Sequence, residues 1–410
     1  MASLKEFFEI REDGTQKGVA FKNNLTKRGI VARMAARGEC TLADLAAELN
    51  ISIPTITKLV GELAADGLVA DLGKVETAGG RRPNIFGLAS SAVYFAGVGI
   101  RRDRLHFAIT DLSNNIAAQR TATDFTLADN SECLERILAE TDRFLNSCGI
   151  PRGKILSVGI SLPGRVNPET GRSYRYFNDP DTPLRTILEE RLGMEVLLEN
   201  DTRAQCYAEH VSGAAGDVKD MLYVNIGRGF AIGIIADGKL YYGKSGFAGE
   251  FGHTPMFNNN VICSCGKRGC LETEVSGIAI ENKMRALIGE GVNTSLREKY
   301  DADGNIHIDD IIEAARRDDT LSIELIEEAA EKAGKSVAVL LNIFNPELVV
   351  IGGNLAKAGD YLMLPLQAAT NKHSVGLVYN DTRFAPSKTD DTAGALGAAM
   401  MIRNKTIGLL

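Results

Sequence analysis

The sequence contains no apolar run that approaches the roughly 20 residues needed to span a bilayer. Its first residues, MASLKEFFEIREDG, lack the order of basic, apolar and small residues that marks a secretory signal. With 11 Pro against 42 Gly and 24% charged residues, it also lacks the composition of a disordered chain. We therefore expect a globular cytoplasmic protein without membrane insertion, and 410 residues predict two or three domains.

A strongly basic segment is also missing. Residues 1–90 hold 12 Lys and Arg against 11 Asp and Glu, a net charge of +1, whereas the remaining residues carry −8, which gives the overall −7. The N-terminal segment is therefore the better partner for a polyanion, but its charge alone does not predict nucleic-acid binding. The motifs must decide this point.

The seven cysteines do not predict a disulfide framework, because their number is odd and no secretory signal accompanies them. Four are isolated and are expected to be small buried hydrophobes: Cys40, Cys133, Cys148 and Cys206. The other three form a C-x-C-x4-C motif, and a histidine lies ten residues upstream: Cys263, Cys265, Cys270 and His253. Such a set predicts a structural, tetrahedral Zn²⁺ site, in which Gly266 and Gly269 allow tight turns; unrelated thiols are the alternative.

Residues 17–37 place apolar side chains at near-helical spacing and are followed by Gly38, which predicts one helix. Thr41 and Asp44 form an approximate capping box for a second helix, and a third begins after Ser52. The apolar face predicted for the third helix comprises Ile53, Ile56, Leu59, Val60 and Leu63. After Gly67, two short strands flank a glycine-rich turn, which predicts a hairpin.

Three helices followed by a hairpin are typical of a winged helix-turn-helix, in which the third helix enters the major groove of DNA. The residues expected to meet bases and phosphates lie at the exposed start of that helix: Ser52, Pro54, Thr55, Thr57 and Lys58. In the wing sequence GGRRP, the glycines permit close backbone approach while Arg81 and Arg82 bind phosphates. The alternative is a small α/β adaptor whose polar faces are merely solvated.

From about residue 91 the pattern changes to strand pairs that alternate with helices. Residues 93–123 predict three strands, and residues 132–149 predict an amphipathic helix. A second unit of this kind begins near residue 220, uses Asp237-Gly238 as a hairpin turn, and continues into long helices over 308–344. The repetition predicts a duplicated α/β domain with a ligand cleft between its lobes, and domains of 1–90, 91–210 and 211–410.

The run GEFGH followed by CSCGKRGCLE resembles the zinc and sugar motif of the ROK family of repressors, uncharacterised reading frames and sugar kinases. The resemblance extends over residues 90–402 and includes SLPGRVNPETG, LLENDTRAQCYAE, NIFNPELVVIGGNL and AGALGAA. It implies a two-lobed, actin-like (ribonuclease H-like) sugar-kinase fold. It also implies that the sugar contacts are Gly164, Asn178, Asn200, Asp201, Glu250, His253 and Glu272. Without that resemblance, Glu250 and Glu272 are as readily explained as surface acids.

The departures from the family's kinases concern the phosphate-binding turns. Where those kinases have Asp-x-Gly-Gly-Thr, this sequence has Gly99, Arg101, Arg102 and Asp103 at the four diagnostic positions. Arginine side chains would crowd the turn, and the metal would lose its aspartate. A second turn, Gly-Thr-Gly in the family, is residues 227–229 with Arg228 at its centre. No catalytic residue is therefore expected, and Asp201, at the position of the kinases' general base, is interpreted as vestigial.

The winged helix and the altered kinase core together are similar to the repressor branch of the family, which includes the N-acetylglucosamine and xylose repressors. The expected partners are double-stranded operator DNA, a sugar or sugar-phosphate effector and a second copy, as a homodimer or homotetramer. Two other functions remain open: an ATP-dependent sugar kinase with an appended DNA-binding domain, and a regulator sequestered by a membrane protein. For Gly352 and Gly353, which match the family's adenosine-side motif, a purely structural use is favoured.

Overall fold

The chain folds into two compact units in the computed structural model, which describes residues 7–8, 18–74, 83–389 and 391–410. The first unit comprises Met1–Ala204 together with Gly394–Leu410, and the second comprises Gln205–Ala393. This division differs from the predicted second lobe of 211–410, because the C-terminal helix packs with the first unit. Helix-to-strand contacts between residues this distant in sequence leave no local pattern from which to predict them.

The N-terminal head has the predicted three helices and hairpin. Its helices are α1 (Val19–Arg37), α2 (Leu42–Leu49) and α3 (Ile53–Ala65), and its strands are β1 (Cys40–Thr41), β2 (Val69–Lys74) and β3 (Asn84–Leu88). The strands form a sheet in the order β1-β3-β2, so the hairpin gains a third, unpredicted strand of two residues. The predicted wing arginines, Arg81 and Arg82, lie outside the described residues.

Local chemistry fixes the boundaries of these helices. The capping box is confirmed, since Thr41 Oγ1 accepts from Asp44 N–H and the Asp44 carboxylate accepts from Thr41 N–H. Asn50 ends α2 in the left-handed region at φ 53°, which turns the chain into α3 within three residues. The prediction for Ile53 is wrong: its side chain is 54% exposed, because it lies in the first turn of α3, beyond the packed face.

The remainder of the first unit is built on a mixed five-stranded sheet. Its strands are β4 (Tyr94–Ile100), β5 (Leu105–Asp111), β6 (Ile116–Ala122), β7 (Ile155–Leu162) and, after the short pair β8 (Val166–Asn167) and β9 (Arg172–Ser173), β10 (Glu195–Asn200). The order is β10-β7-β4-β5-β6, antiparallel through β4, β5 and β6 and parallel through β4, β7 and β10. The helices are α4 (Ser131–Ser147), α5 (Leu184–Leu192) and the start of α6 (Asp201–Ser212). The three strands and the helix predicted between 93 and 149 are confirmed.

The second unit repeats this arrangement. Its strands are β11 (Met221–Ile226), β12 (Phe230–Ala236), β13 (Lys239–Leu240), β14 (Leu348–Gly352) and β15 (Arg383–Pro386), in the order β13-β12-β11-β14-β15. As in the first sheet, three strands are antiparallel neighbours and two more follow in parallel. Two sheets with the same strand order confirm the predicted duplicated α/β fold.

Helices cover the second sheet and build its core. They are α7 (Glu272–Val275), α8 (Gly277–Gly289), α9 (Arg297–Asp303), α10 (Ile308–Ala315), α11 (Thr320–Phe344), α12 (Asp360–His373) and α13 (Gly376–Asp381). The buried residues of α8, α10 and α11 join β11, β12 and β14 in one apolar cluster. The hairpin turn predicted at Asp237-Gly238 is confirmed, with φ values of 49° and 72° that suit the twist of the flanking strands.

The last helix, α14 (Ala393–Ile407), lies against glycines of the first sheet. A Cβ added at Gly97 would be 1.9 Å from Ala395 O, and one at Gly159 would be 2.0 Å from Ala398 O. Backbone therefore packs directly on backbone here, which only glycine permits. None of the described helices combines the length and the apolar character that a membrane span requires.

Candidate functional site

The exposed face of α3 carries the residues predicted to contact DNA. All five described candidates are exposed: Ser52, Pro54, Thr55, Thr57 and Lys58. The opposite face is buried through Ile56, Leu59, Val60 and Leu63, so the packing of α3 leaves only its polar side and its first turn outside.

Hydrogen bonds order the start of α3. The Ser52 and Thr55 hydroxyls are 2.8 Å apart, and Thr57 Oγ1 donates to Ile53 O at 2.8 Å. At the other end, Lys27 of α1 pairs with Glu62 at 2.9 Å and holds the two helices together. The start of α3 is thus exposed and internally hydrogen-bonded, and in a winged helix-turn-helix the third helix is the one that enters a groove.

The four residues of the predicted metal site come together in the second unit. One donor atom from each of His253, Cys263, Cys265 and Cys270 lies within 4.8 Å of the others. Cys265 Sγ is 3.6 Å from Cys270 Sγ, and Cys263 Sγ is 3.4 Å from His253 Nδ1. Tetrahedral Zn²⁺ with ordinary bond lengths separates two sulfur ligands by about 3.8 Å and a sulfur from a nitrogen by about 3.5 Å. The donor set and its spacing therefore fit a tetrahedral metal ion.

Turns in the cysteine loop create this arrangement. Gly266 and Gly269 have φ values of 86° and 75°, in the left-handed region, and Gly266 N–H donates to Cys263 O at 2.8 Å. A Cβ at Gly269 would be 2.2 Å from Phe257 O. Both positions therefore favour glycine, as predicted, because of their left-handed backbone conformation. At Gly269 the close approach of the Phe257 backbone is a second reason.

The pKa values of the three thiols are shifted in different directions. Burial, together with hydrogen bonds to the other two thiols, raises the pKa of Cys270 to about 12, and burial also raises the pKa of Cys263. Cys265 is partly desolvated, yet hydrogen bonds from Lys267 N–H and from the neighbouring thiols lower its pKa. Three thiolates this close repel each other, so full ionisation of the cluster requires a cation among them.

Two carboxylates flank the cluster. Glu272, at the start of α7, accepts from Phe230 N–H at 3.3 Å and from Ser264 Oγ at 3.2 Å. Glu250 Oε2 lies 3.8 Å from His253 Nε2, while Nδ1 of that ring faces Cys263. The imidazole thus turns one nitrogen to the thiols and the other to a carboxylate. Ser264, between Cys263 and Cys265 in the sequence, is a contact of Glu272 that was not predicted, although its place inside the cysteine motif was a signal for it.

The loop that carries Glu250 and His253 depends on two more glycines. A Cβ at Gly249 would be 2.2 Å from Ile232 O, and one at Gly252 would be 2.0 Å from Phe230 O. The run GEFGH therefore lies directly on the backbone of β12, which fixes the position of both side chains.

In the first unit, three of the predicted ligand residues lie together at the end of β10. Asn200 Nδ2 donates to Gly164 O at 2.9 Å and to Asp201 Oδ1 at 3.0 Å. Burial raises the pKa of Asp201, although the Thr202 N–H bond and the charge of Arg101 act against this shift. The fourth, Asn178, lies exposed in the loop between β9 and α5.

The predicted ligand set is thus distributed over both units: Gly164, Asn178, Asn200 and Asp201 in the first, Glu250, His253 and Glu272 in the second. Each unit contributes carboxylate, amide or imidazole groups that can bind hydroxyls.

The turn over residues 101–104, where the sequence predicts an altered phosphate-binding motif, closes on itself. Arg101 N–H donates to Arg104 O at 3.0 Å, and the Arg104 guanidinium pairs with Asp103 at 2.5 Å.

In the second unit, a Cβ at Gly352 would be 2.1 Å from Tyr223 Oη, and one at Gly353 would be 2.5 Å from Asn225 Oδ1. A larger residue at Gly352 or Gly353 would collide with these side chains, which gives both glycines the structural role favoured from the sequence.

Comparison with known proteins gives two family matches. Residues 95–405 match the ROK family, and residues 23–70 match a winged helix-turn-helix DNA-binding family. The first match alone covers well over half of the chain.

Individual relatives align with most of the chain. The chain is 30% identical over 358 residues to the xylose repressor of Caldicellulosiruptor bescii, which covers 86% of this chain and 89% of the relative. It is 27% identical over 372 residues to the DNA-binding transcriptional dual regulator NagC of Escherichia coli, with 89% of each protein covered. A crystal structure of a ROK family transcriptional regulator, described as a homologue of the E. coli MLC protein, superposes with a TM-score of 0.79 at 27% identity and covers 95% of this chain and 98% of that one.

Proposed function

The chain belongs to the ROK family, and we propose that it is a transcriptional repressor that binds operator DNA and responds to a sugar or sugar phosphate. The observation that carries this proposal is the presence, in one chain, of a winged helix-turn-helix head and a ROK domain. A relative that aligns with 86% of this chain is named a xylose repressor, and one that aligns with 89% is named a DNA-binding transcriptional dual regulator. As a protein that acts on chromosomal DNA, it is proposed to work in the cytoplasm.

For DNA, we assign the exposed start of α3 to the major groove. Ser52, Pro54, Thr55 and Thr57 are of the size and polarity that suit base edges, and Lys58 suits a phosphate. Arg81 and Arg82 of the wing are proposed to bind phosphates beside them. Two heads on a homodimer or homotetramer would read a two-fold symmetric operator.

For the effector, we assign hydroxyl recognition to the carboxylates and amides of both units: Gly164, Asn178, Asn200, Asp201, Glu250, His253 and Glu272. His253 can serve both roles proposed for it, because its two ring nitrogens face different groups. If Nδ1 held Zn²⁺, Nε2 would carry the ring proton and could donate to a sugar oxygen. Zn²⁺, held by His253, Cys263, Cys265 and Cys270, would supply the structural cross-link that keeps this loop in place.

We further propose that kinase activity has been lost. The first phosphate turn carries Arg101 and Arg102 in place of glycines and lacks the aspartate of the kinases. Without a backbone cradle for phosphate and a ligand for magnesium, the positioning and charge stabilisation on which phosphoryl transfer depends are absent. Asp201 is then a hydrogen-bond acceptor for an effector hydroxyl.

The first experiment is a thermal shift of the full chain with D-xylose, D-glucose, N-acetyl-D-glucosamine and the 6-phosphates of the last two. A ligand at 100 times its Kd stabilises the native state by about 2.7 kcal/mol, so specific binding is visible against the other sugars. We expect one sugar class to raise Tm, and Glu250→Gln to abolish the shift. A chain that responds to none of them, but is captured by a membrane protein, would contradict the sugar-sensing function.

A second experiment tests the DNA assignment. The binding of a duplex that the protein selects from a random library is measured by fluorescence anisotropy at several salt concentrations. We expect Lys58→Ala to bind more weakly, with a slope of log Kd against log salt concentration that is smaller by about one phosphate contact. Lys239→Ala, an exposed lysine of the hairpin in the second unit, is the control and should bind normally. Equal behaviour of the two variants would refute the assignment of α3. An ADP-release assay with the same sugars should give no turnover.

A further inference from the structure

A buried ion pair lies directly behind Asn200 and Asp201. Glu199 is the last residue but one of β10, and Arg203 is in the first turn of α6. Their side chains are 0% and 4% exposed, and Glu199 Oε1 accepts from Arg203 Nε at 2.7 Å and from Nη2 at 2.5 Å. Removing two charges from water costs about as much as their attraction returns, so such a pair contributes little net stability. Its presence calls for another reason.

The other bonds of the pair end on the loop that carries the candidate ligand groups. Glu199 Oε1 also accepts from Asn200 N–H at 2.6 Å, and Arg203 Nη2 donates to Val166 O at 3.0 Å. Arg203 N–H donates to Asn200 Oδ1 at 3.0 Å. The pair therefore ties the end of β10, the start of α6 and the segment after β7 to each other.

These bonds determine the orientation of Asn200. Its Oδ1 takes the Arg203 N–H, and its two amide hydrogens go to Gly164 O and Asp201 Oδ1. Asp201 Oδ1 also accepts from Thr202 N–H at 2.8 Å. Two donors thus hold Oδ1 and set the plane of the carboxylate, and Oδ2 keeps lone pairs that can accept from a hydroxyl.

We propose that Glu199 and Arg203 are positioning residues of the effector site, which set the orientation of Asn200 and Asp201 for a vicinal pair of sugar hydroxyls. This inference rests on the proposed sugar-sensing function. Glu199 has a second effect, because it holds the guanidinium fork of Arg203 on itself and on Val166 O. The charge of Arg203 also acts on Asp201. Loss of the Glu199 carboxylate would therefore allow the guanidinium to turn to Asp201, whose carboxylate would then be engaged by an internal cation and lost to the ligand.

The test compares two buried carboxylates, each paired with an arginine four residues on. Glu199→Gln keeps the shape of the side chain but removes its charge. Glu281→Gln is the matched control: Glu281 is also buried, also pairs with an arginine four residues on, Arg285 at 3.2 Å, and also accepts a backbone N–H, from Ile308 at 2.9 Å. It lies in α8, and its hydrogen-bond partners, Arg285 and Ile308, are not candidate ligand residues.

Both variants and the wild type are measured for Tm, for affinity to the selected duplex without sugar, and for Kd of the five sugars named above by calorimetry. We expect similar losses of Tm in the two variants, unchanged DNA affinity, and a sugar Kd raised at least tenfold in Glu199→Gln alone. Arg203→Lys, which keeps the charge but not the fork, should raise Kd by a smaller factor, and it carries the test if Glu199→Gln does not fold.

The outcomes separate the two proposals. If the wild type binds none of the five sugars, the sugar-sensing function and the positioning role fall together. If the wild type binds one and Glu199→Gln binds it as tightly, only the positioning role is overturned. An equal rise of Kd in Glu199→Gln and Glu281→Gln would mean that general destabilisation weakens the site, and would also overturn it.

Discussion

The contact between α14 and α6 allows one substitution to be worked through in detail. A Cβ added at Gly397 would be 1.8 Å from Ala204 O and 2.6 Å from Ala204 C. Carbon–oxygen contacts are not normally closer than about 3.3 Å, so Gly397→Ala requires a separation of about 1.5 Å between two helix backbones. Neither backbone can move easily. The helix α14 lies on the glycines of the first sheet, and α6 follows β10 of that sheet without an intervening loop.

The expected cost of this overpacking is about 1–3 kcal/mol or more, against which alanine's better helix propensity returns at most about 1 kcal/mol. For a unit of this size, each kcal/mol lowers Tm by about 2–4 °C, so we expect a loss of roughly 4–8 °C for a net 2 kcal/mol. Differential scanning calorimetry of the full chain measures it.

Gly61→Ala provides the control for this substitution. Gly61 is in the interior of α3, and a Cβ there has nothing within 4 Å. Alanine should stabilise this helix by about 0.5–1 kcal/mol. If Gly397→Ala is as stable as the wild type while Gly61→Ala behaves as expected, the two helices do not approach as described, and the close packing of α14 is refuted.

Three further predictions concern the candidate site and its surroundings. Cys265→Ser should lose bound zinc, measured by plasma mass spectrometry, together with the thermal response to sugar, whereas Cys148→Ser should keep both; a zinc-free variant with normal sugar affinity would contradict this. Burial raises the pKa of Asp201, so effector affinity should fall as pH drops through that raised value towards 3.8, and calorimetry of Asp201→Asn should give weaker binding without this fall. Burial lowers the pKa of His210, so the neutral ring is favoured in the native state and the stability of the protein should decline as pH falls below 6.5. His210→Gln should flatten the curve of Tm against pH, and a curve as steep as that of the wild type would argue against a role of His210 in this decline.

The elements that the sequence predicted well are those with a local cause. The capping box of Thr41 and Asp44 and the turn at Asp237-Gly238 depend on residues within four positions of each other, and both are present. The cysteine cluster was predictable for a similar reason: three ligands lie within eight residues, and the chemistry of thiols and imidazole narrows the interpretation.

The features that were not predicted depend on distant contacts. The two-residue strand β1 is too short to show an alternating pattern, and only its pairing with β3 defines it. Ile53 fits the helical period of its neighbours but lies beyond the packed surface. Glu199 and Arg203 look like an ordinary exposed i, i+4 pair in the sequence, and their burial follows from the sheet and helix that meet around them.

The return of α14 to the first unit has a consequence for how the protein is made. A ribosome that adds about 5–20 residues per second must complete the second unit, residues 205–393, before α14 is available, a delay of about 10–40 s. During that time the glycine surface of the first sheet lacks its cover, although the DNA-binding head has already been synthesised. Chains that end early cannot complete this unit and become substrates for chaperones and proteases. The first unit, whose head is made first, is thus completed only by the last helix of the chain.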